Sequence, residues 1–171
     1  ELKKLASAKK VVAVGEIGLD YYRDYTPKEL QLAIFIQQVE FAAEIGLPVI
    51  VHNRDASEDI INVLASWQRD LAANGSRLAD QPGVLHSFSG SVDMANEMVE
   101  YHFKIGITGA VTFRNDQGLR TVVAALPLES LFIETDAPFQ TPHPFRGKRN
   151  EPSNVRIVAE KIAELKAIPV E

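Results

Sequence analysis

The 171-residue sequence contains no cysteine, which excludes disulfide bonds and thiolate metal ligands. Any metal ion held by these residues must therefore be bound by His, Asp, Glu or water. The lack of cysteine also favours a cytoplasmic location, because disulfides are rare there. No apolar run reaches the roughly 18 residues that span a bilayer, so the sequence predicts no membrane partner, and no feature predicts an obligate protein partner.

The sequence also lacks an excess of positive charge. It has 18 Lys and Arg against 23 Asp and Glu, which gives a formal net charge of −5. This balance excludes a globally basic nucleic-acid-binding protein. A partner that carries phosphates would need a local basic patch or a bound cation.

Apolar runs rich in β-branched residues alternate with segments of helical periodicity. The predicted strands cover residues 11–14, 47–52, 82–88, 103–109 and 130–136. The first long helix should begin at Pro27, end at Gly46 and use a stripe at helical spacing, namely Leu30, Ile34, Gln37, Phe41 and Ile45. Apolar strands joined by helices indicate a parallel sheet, so we predict an α/β fold of five β/α units in a single domain, residues 1–171. The architecture is either a doubly wound open sheet or part of a (β/α)8 TIM barrel.

Four potential metal ligands come at or just after the predicted strands: Glu16, His52, His86 and Asp136. Because the carboxyl ends of parallel strands open onto one face, we expect these side chains to converge. Two imidazoles and two carboxylates suit Zn²⁺ or Mn²⁺, and Mg²⁺ less well. Taken singly, each residue also has a structural interpretation, such as a hydrogen-bonded histidine, a capped turn at Glu16 or an N-cap at Asp136.

One dense basic cluster lies after the last predicted strand, in TPHPFRGKRNEP, residues 141–152. Its Arg146, Lys148 and Arg149 are candidate contacts for a substrate phosphate, or part of a solvated surface loop. Arg54, two residues after His52, is a further candidate on the same rim. Tyr21 and Tyr22, which follow Glu16 in the sequence, either line the cleft or pack beneath the loop.

Five segments together resemble successive signatures of the TatD family of metal-dependent deoxyribonucleases: VAVGEIGLDYYRD, LPVIVHNRDA, GVLHSFSGS, IGITGAVTF and ETDAPFQTPHPFRGKRNEP. The resemblance implies a (β/α)8 barrel and an exonuclease-like hydrolase that cleaves DNA phosphodiesters with one or two divalent cations, Mg²⁺, Mn²⁺ or Zn²⁺. It implies that Glu16 is a bridging carboxylate and that His52 and His86 are imidazole ligands. Asp136 is similar to the carboxylate that binds metal and orients or deprotonates the attacking water, which makes Asp136 and Glu16 the candidate catalytic residues.

The sequence departs from that family because it contains no His-x-His pair. The five predicted strands correspond to the last five of the eight in such a barrel, and the first residue is Glu1 rather than Met. We therefore expect the N-terminal part to be missing, in a fragment or in a naturally shortened copy. Two other functions stay open: an amidohydrolase-type enzyme acting on amides or lactones, and an inactive chain whose metal site is incomplete.

Glu134 precedes Asp136 by two residues and should point to the same side of the predicted strand. We expect its carboxylate to be hydrogen-bonded beneath the site.

Overall fold

The computed structural model describes residues 1–23 and 25–170. The strands are β1 (Val14–Asp20), β2 (Val49–Arg54), β3 (Gly83–Leu85), β4 (Lys104–Ile107) and β5 (Leu131–Ile133). The α-helices are α1 (Leu2–Ala6), α2 (Lys28–Ile45), α3 (Ser57–Ala73), α4 (Val92–Glu100), α5 (Gln117–Ala125) and α6 (Val155–Lys166). Short 3₁₀ helices cover Arg77–Asp80, Gly109–Thr112, Leu128–Ser130 and Pro152–Asn154.

The chain forms two compact units. Unit 1 consists of Glu1–His86 and Met98–Phe103, and unit 2 consists of Ser87–Glu97 and Lys104–Glu171. Within residues 1–23 and 25–170, no helix is long and apolar enough to cross a membrane.

The sheet of unit 1 is parallel throughout. Strand β1 pairs with β2, with Gly18 opposite His52 and Asp20 opposite Arg54. Strand β2 pairs in turn with β3, where Val51 lies opposite Leu85. Both of these residues are fully buried or nearly so, as expected for parallel strands covered by helices.

The first predicted strand is misplaced, because residues 11–13 lie outside β1 and the strand continues to Asp20. Glu16 therefore lies within a strand, not after one, and so does His52 in β2. The segment VGEIGLD contains two glycines, which local propensity assigns to a turn. Backbone pairing with β2 overrides that preference.

Helix α2 begins at Lys28 and is closed by Gly46, whose φ of 70° is the left-handed conformation that ends many helices. Its buried residues are Phe35, Val39 and Ala42, whereas Leu30 and Ile34 are 52% and 43% exposed. The predicted apolar stripe is therefore wrong. Apolar residues occur around most of this helix, so periodicity alone does not select the face that packs.

Unit 2 contains a parallel pair of strands with helices α5 and α6. Ile105 and Ile107 of β4 lie opposite Leu131 and Ile133 of β5. The buried apolar residues of the unit include Ile105 and Ile107 of β4 and, from the two helices, Val122, Val123, Val158 and Ile162. The short strand β5 ends three residues before Asp136, so this carboxylate is carried by the loop that follows the sheet.

Candidate functional site

Glu16 and His86 approach each other in unit 1. Oε1 of Glu16 lies 3.2 Å from Nε2 of His86. Glu16 belongs to β1 and His86 directly follows β3, and β2 lies between these two strands. The β1–β2 register shifts between Val14 and Ile17, and such an irregularity re-aims the side chains near it. The His86 amide extends the β2–β3 ladder by donating to the Val51 carbonyl at 2.8 Å.

His52 has a carboxylate partner that the sequence analysis missed. Oδ2 of Asp20 lies 3.8 Å from Nε2 of His52, with Asp20 at the end of β1. Strand alternation could have found it, because Glu16, Gly18 and Asp20 are two residues apart and point to one side. This separation is longer than a hydrogen bond, so Asp20 acts on the imidazole through its charge.

Gly18 allows β1 to approach His52 closely. A Cβ built at Gly18 would lie 2.0 Å from the His52 carbonyl oxygen, and the glycine has a φ of +134°. No other residue fits both the space and this backbone conformation. The position of His52 beside β1 therefore depends on a glycine.

These side chains open onto a cleft of about 490 Å³ within unit 1. Glu16, Asp20 and His52 supply its charged and titratable lining, while Leu30 and Ile34 of α2 supply an apolar wall. The cleft is thus acidic on one side and apolar on the other.

The Glu16–His86 pair has the chemistry and spacing of two ligands to one divalent ion. With metal–ligand bonds of about 2.1 Å and angles between tetrahedral and octahedral, two ligand atoms lie about 3.0–3.4 Å apart. The observed 3.2 Å falls in that range. Among the described residues of each unit, no three His, Asp or Glu side chains are close enough together to hold an ion. The residues therefore fit two ligand positions in the present arrangement.

Asp136 belongs to unit 2 and is held by a network of side chains. Gln140 Nε2 donates to Asp136 Oδ2 at 2.9 Å and also to Ser87 Oγ. Thr108 Oγ1 donates to Gln140 Oε1 at 2.5 Å, which fixes the orientation of the amide. Gly109 permits the approach of this loop, since a Cβ there would lie 2.1 Å from the Gln140 carbonyl oxygen.

Backbone strain concentrates in the same network. Ser87, Asp136 and Gln140 all have positive φ, at 48°, 53° and 52°. Non-glycine residues adopt this conformation at a cost that surrounding contacts must offset, and such residues cluster at functional sites. Glu134 joins the network because its Oε1 accepts a hydrogen bond from the Ser87 amide at 2.5 Å. The prediction that the Glu134 carboxylate is hydrogen-bonded is therefore confirmed.

The basic loop of unit 2 is fixed by a residue that the sequence analysis also missed. Asn150 is 2% exposed, and its Nδ2 donates to the carbonyls of Thr135 and Phe139 at 2.7 and 2.6 Å. It therefore ties the end of the basic loop to the segment that carries Asp136. No local sequence pattern predicts this role for Asn150, since asparagine is common in loops.

The four predicted phosphate contacts differ in the contacts that their side chains make within the protein. Arg146 stacks on Phe113, 3.8 Å from the ring centroid, and donates to the Thr141 carbonyl at 3.2 Å. Arg146, Lys148 and Arg149 are all exposed, and Lys148 Nζ lies 5.8 Å from the centroid of the Phe145 ring. Arg54, in unit 1, stacks on Tyr22.

Comparison with known proteins places these residues in a family, because the family described as TatD related DNase matches residues 1–171. The chain belongs to the TatD-related DNase family. It is 46% identical over 170 residues to the uncharacterized metal-dependent hydrolase YabD of Bacillus subtilis, covering 99% of this chain and 63% of YabD. It is 35% identical over 175 residues to the 3'-5' ssDNA/RNA exonuclease TatD of Erwinia amylovora, covering 99% of this chain and 64% of that protein.

The fold of the TatD family is matched as well. The crystal structure of YjjV, a TatD homologue of Escherichia coli, superposes with a TM-score of 0.87 at 35% identity, covering 98% of this chain and 62% of YjjV. The predicted α/β fold of the (β/α)8 barrel class is confirmed by this similarity. The chain spans less than two thirds of the length of these relatives. The assignment of residues 1–171 to a single domain stays a prediction, as does a missing N-terminal part with a His-x-His pair.

Proposed function

We propose that the protein is a divalent-metal-dependent hydrolase that cleaves the phosphodiester bonds of DNA, working from a strand end. The observation that carries the proposal is the pairing of Glu16 and His86 at 3.2 Å, the spacing of two ligands of one ion. The names of relatives support it, since one is called a metal-dependent hydrolase and another a 3'-5' ssDNA/RNA exonuclease.

In this proposal Glu16, His52 and His86 hold the cation, which is Mg²⁺, Mn²⁺ or Zn²⁺, with one or two ions per site. When bound, such an ion neutralises a phosphate oxygen and increases the acidity of water. Glu16 supplies the carboxylate, and His86 supplies an imidazole that is only 15% exposed. Asp20 places a negative charge 3.8 Å from Nε2 of His52, and Gly18 sets the distance between His52 and β1.

Asp136 is proposed as the general base and as a further metal ligand. A carboxylate that takes a proton from water must hold that water by a hydrogen bond in a fixed direction. Gln140 restrains the carboxylate by donating to Oδ2 at 2.9 Å, which limits the directions in which the carboxylate can accept from the water. The left-handed backbone at Asp136 and Gln140 supports this role, because strain of this kind is retained where function requires it.

The proposed phosphate contacts are Arg54, Arg146, Lys148 and Arg149. A protein of net charge −5 needs local cations to hold a polyanion. Lys148 and Arg149 are exposed and can reach a phosphate, and Arg146, which is also exposed, would keep its stacking on Phe113. We propose DNA as the substrate, no obligate protein partner and a cytoplasmic location.

The proposal is tested by incubating the 171-residue chain with an end-labelled DNA strand and Mg²⁺, Mn²⁺ or Zn²⁺ in separate reactions. We expect stepwise shortening of the strand, which EDTA abolishes. The Asp136→Asn variant should keep its circular dichroism spectrum and lose nearly all cleavage. Turnover of a lactone or amide with no cleavage of DNA would contradict the proposal and favour an amidohydrolase. Near-normal cleavage by Asp136→Asn would contradict the role of Asp136.

A further inference from the structure

Tyr22 and Arg54 form a stacked pair at the carboxyl ends of β1 and β2. The guanidinium carbon of Arg54 lies 3.8 Å from the centroid of the Tyr22 ring. Tyr22 nevertheless remains 64% exposed. Since the arginine covers one face of the ring, this exposure leaves the other face open to solvent. An exposed ring face next to a cation is the arrangement that proteins use to bind single-stranded nucleic acid.

The pair is held by the backbone around it. The Tyr21 amide donates to the Arg54 carbonyl at 2.8 Å, which continues the pairing of Asp20 with Arg54. Asp20 Oδ1 accepts from the Tyr22 amide at 3.1 Å. The ring is therefore placed by hydrogen bonds to both strands.

Gln31 of α2 forms hydrogen bonds with Asp20 and Thr26, which flank Tyr22 in the sequence. Its Nε2 donates to the carbonyls of Asp20 and Thr26 at 3.1 and 2.9 Å. Its Oε1 accepts from the Asp20 amide at 3.0 Å. A binding surface that is ordered before its ligand arrives loses less conformational entropy on binding.

Asp20 also connects this pair to the candidate metal ligands. One oxygen of its carboxylate binds the Tyr22 amide, and the other lies 3.8 Å from Nε2 of His52. A strand whose phosphate is held near His52 would therefore have its neighbouring nucleotide at Tyr22. The arginine can support the ring from behind and donate hydrogen bonds to the phosphate of that nucleotide.

We propose that Tyr22 and Arg54 form a stacking platform for the base that flanks the scissile phosphodiester of a single-stranded DNA. The inference rests on the proposed function for the identity of the substrate. A base inside a duplex has both faces covered by its neighbours, so the platform selects an unpaired strand. The phenol hydroxyl is not needed, because stacking uses the ring face.

The test measures binding of a fluorescein-labelled single-stranded deoxyoligonucleotide to the 171-residue chain by anisotropy in EDTA, where cleavage is stopped. A matched strand carries abasic units in place of the bases. Tyr22→Ala should raise the Kd for the normal strand by roughly five- to hundredfold, the range that loss of one stacked base produces. It should leave the Kd for the abasic strand unchanged, and Tyr22→Phe should bind both strands like the wild type.

Tyr101→Ala is the matched control, because Arg69 lies over the Tyr101 ring at 5.9 Å elsewhere in unit 1. This variant should bind both strands like the wild type. An equal loss by Tyr22→Ala on the normal and abasic strands, no loss at all, or no binding of either strand by the wild type would overturn the platform.

Cleavage with Mn²⁺ is measured on the same wild-type preparation. Base-dependent binding through Tyr22 without cleavage supports the platform and contradicts the nuclease proposal. Cleavage with normal-strand binding that is indifferent to Tyr22→Ala contradicts the platform alone.

Discussion

Both N–H groups of the Gln140 side-chain amide are engaged at Asp136 and Ser87, with 2.9 Å between Gln140 Nε2 and Asp136 Oδ2. The amide oxygen accepts from Thr108, a residue that is only 2% exposed, so the amide has one favoured orientation. Gln140 is thus a positioning residue for the proposed general base.

Replacing Gln140 with Leu removes the donor while keeping a side chain of similar size. We expect kcat for DNA cleavage to fall roughly ten- to hundredfold, as is common when a residue that orients a reacting group is lost. KM should change little, because Gln140 acts through Asp136 and not on the substrate. Steady-state kinetics on an end-labelled strand measures both quantities.

The control for that change is Gln117→Leu, since Gln117 is an exposed glutamine of the same unit. It should retain wild-type kinetics. Equal kcat values for the wild type and Gln140→Leu would show that Asp136 does not need this donor.

Gly18→Ala should destabilise the protein by at least roughly 2 kcal/mol, because it combines steric overlap with an unfavourable backbone conformation. The added Cβ would lie 2.0 Å from the His52 carbonyl oxygen, and φ is +134°. Urea denaturation of both proteins measures the change in the free energy of unfolding.

Gly118→Ala is the matched control, at a position where an added side chain has space. Gly118 lies in α5, and a Cβ there meets nothing within 4 Å. Alanine in this helix should leave the free energy of unfolding unchanged or raise it by up to about 1 kcal/mol. A Gly18→Ala variant as stable as Gly118→Ala would contradict the close approach of β1 to His52.

Tyr21 makes the stability of the protein depend on pH. Burial raises the pKa of its phenol from 10.0 to about 12, and the hydrogen bond from the phenol to Asp59 at 2.6 Å acts in the same direction. Because the folded state favours the protonated phenol, the stabilisation is complete below pH 10 and is lost as the pH rises through about 12. Tyr21→Phe should flatten this decline in stability, as measured by urea denaturation across that pH range.

Ultraviolet titration checks the same group directly. The wild type should show a late-ionising tyrosine that is absent from Tyr21→Phe, and Asp59→Ala should shift this ionisation to lower pH. Identical high-pH titration curves for the wild type and Tyr21→Phe, once scaled to equal tyrosine content, would refute the assignment.

The sequence was sufficient for the alternation of strands and helices, because apolar runs, crossover helices and the Gly46 stop are local signals. The sequence-based prediction misplaced β1 because the glycines of this segment are typical of a turn. The segment becomes a strand through its pairing with β2, which local sequence does not specify. The prediction also selected the wrong face of α2, whose burial at Phe35, Val39 and Ala42 depends on packing in the folded unit.

The candidate site was predictable to a similar degree. Glu16, His52, His86 and Asp136 stood out because of their residue type and position. Asp20 was within reach of simple strand alternation. The roles of Gln140 and Asn150 could not be predicted from the sequence. Each residue acts through contacts across a loop, and local sequence does not determine the path of that loop.

The central claim is that Glu16 and His86 are two ligands of one divalent cation. Isothermal titration calorimetry of Mn²⁺ or Zn²⁺ into the wild type, Glu16→Gln, His86→Ala and the control His102→Ala tests it most directly, since His102 is exposed and outside the cleft lining. Both ligand variants should weaken binding by at least about tenfold, and His102→Ala should bind like the wild type. Affinities for Glu16→Gln and His86→Ala equal to that of His102→Ala would contradict it.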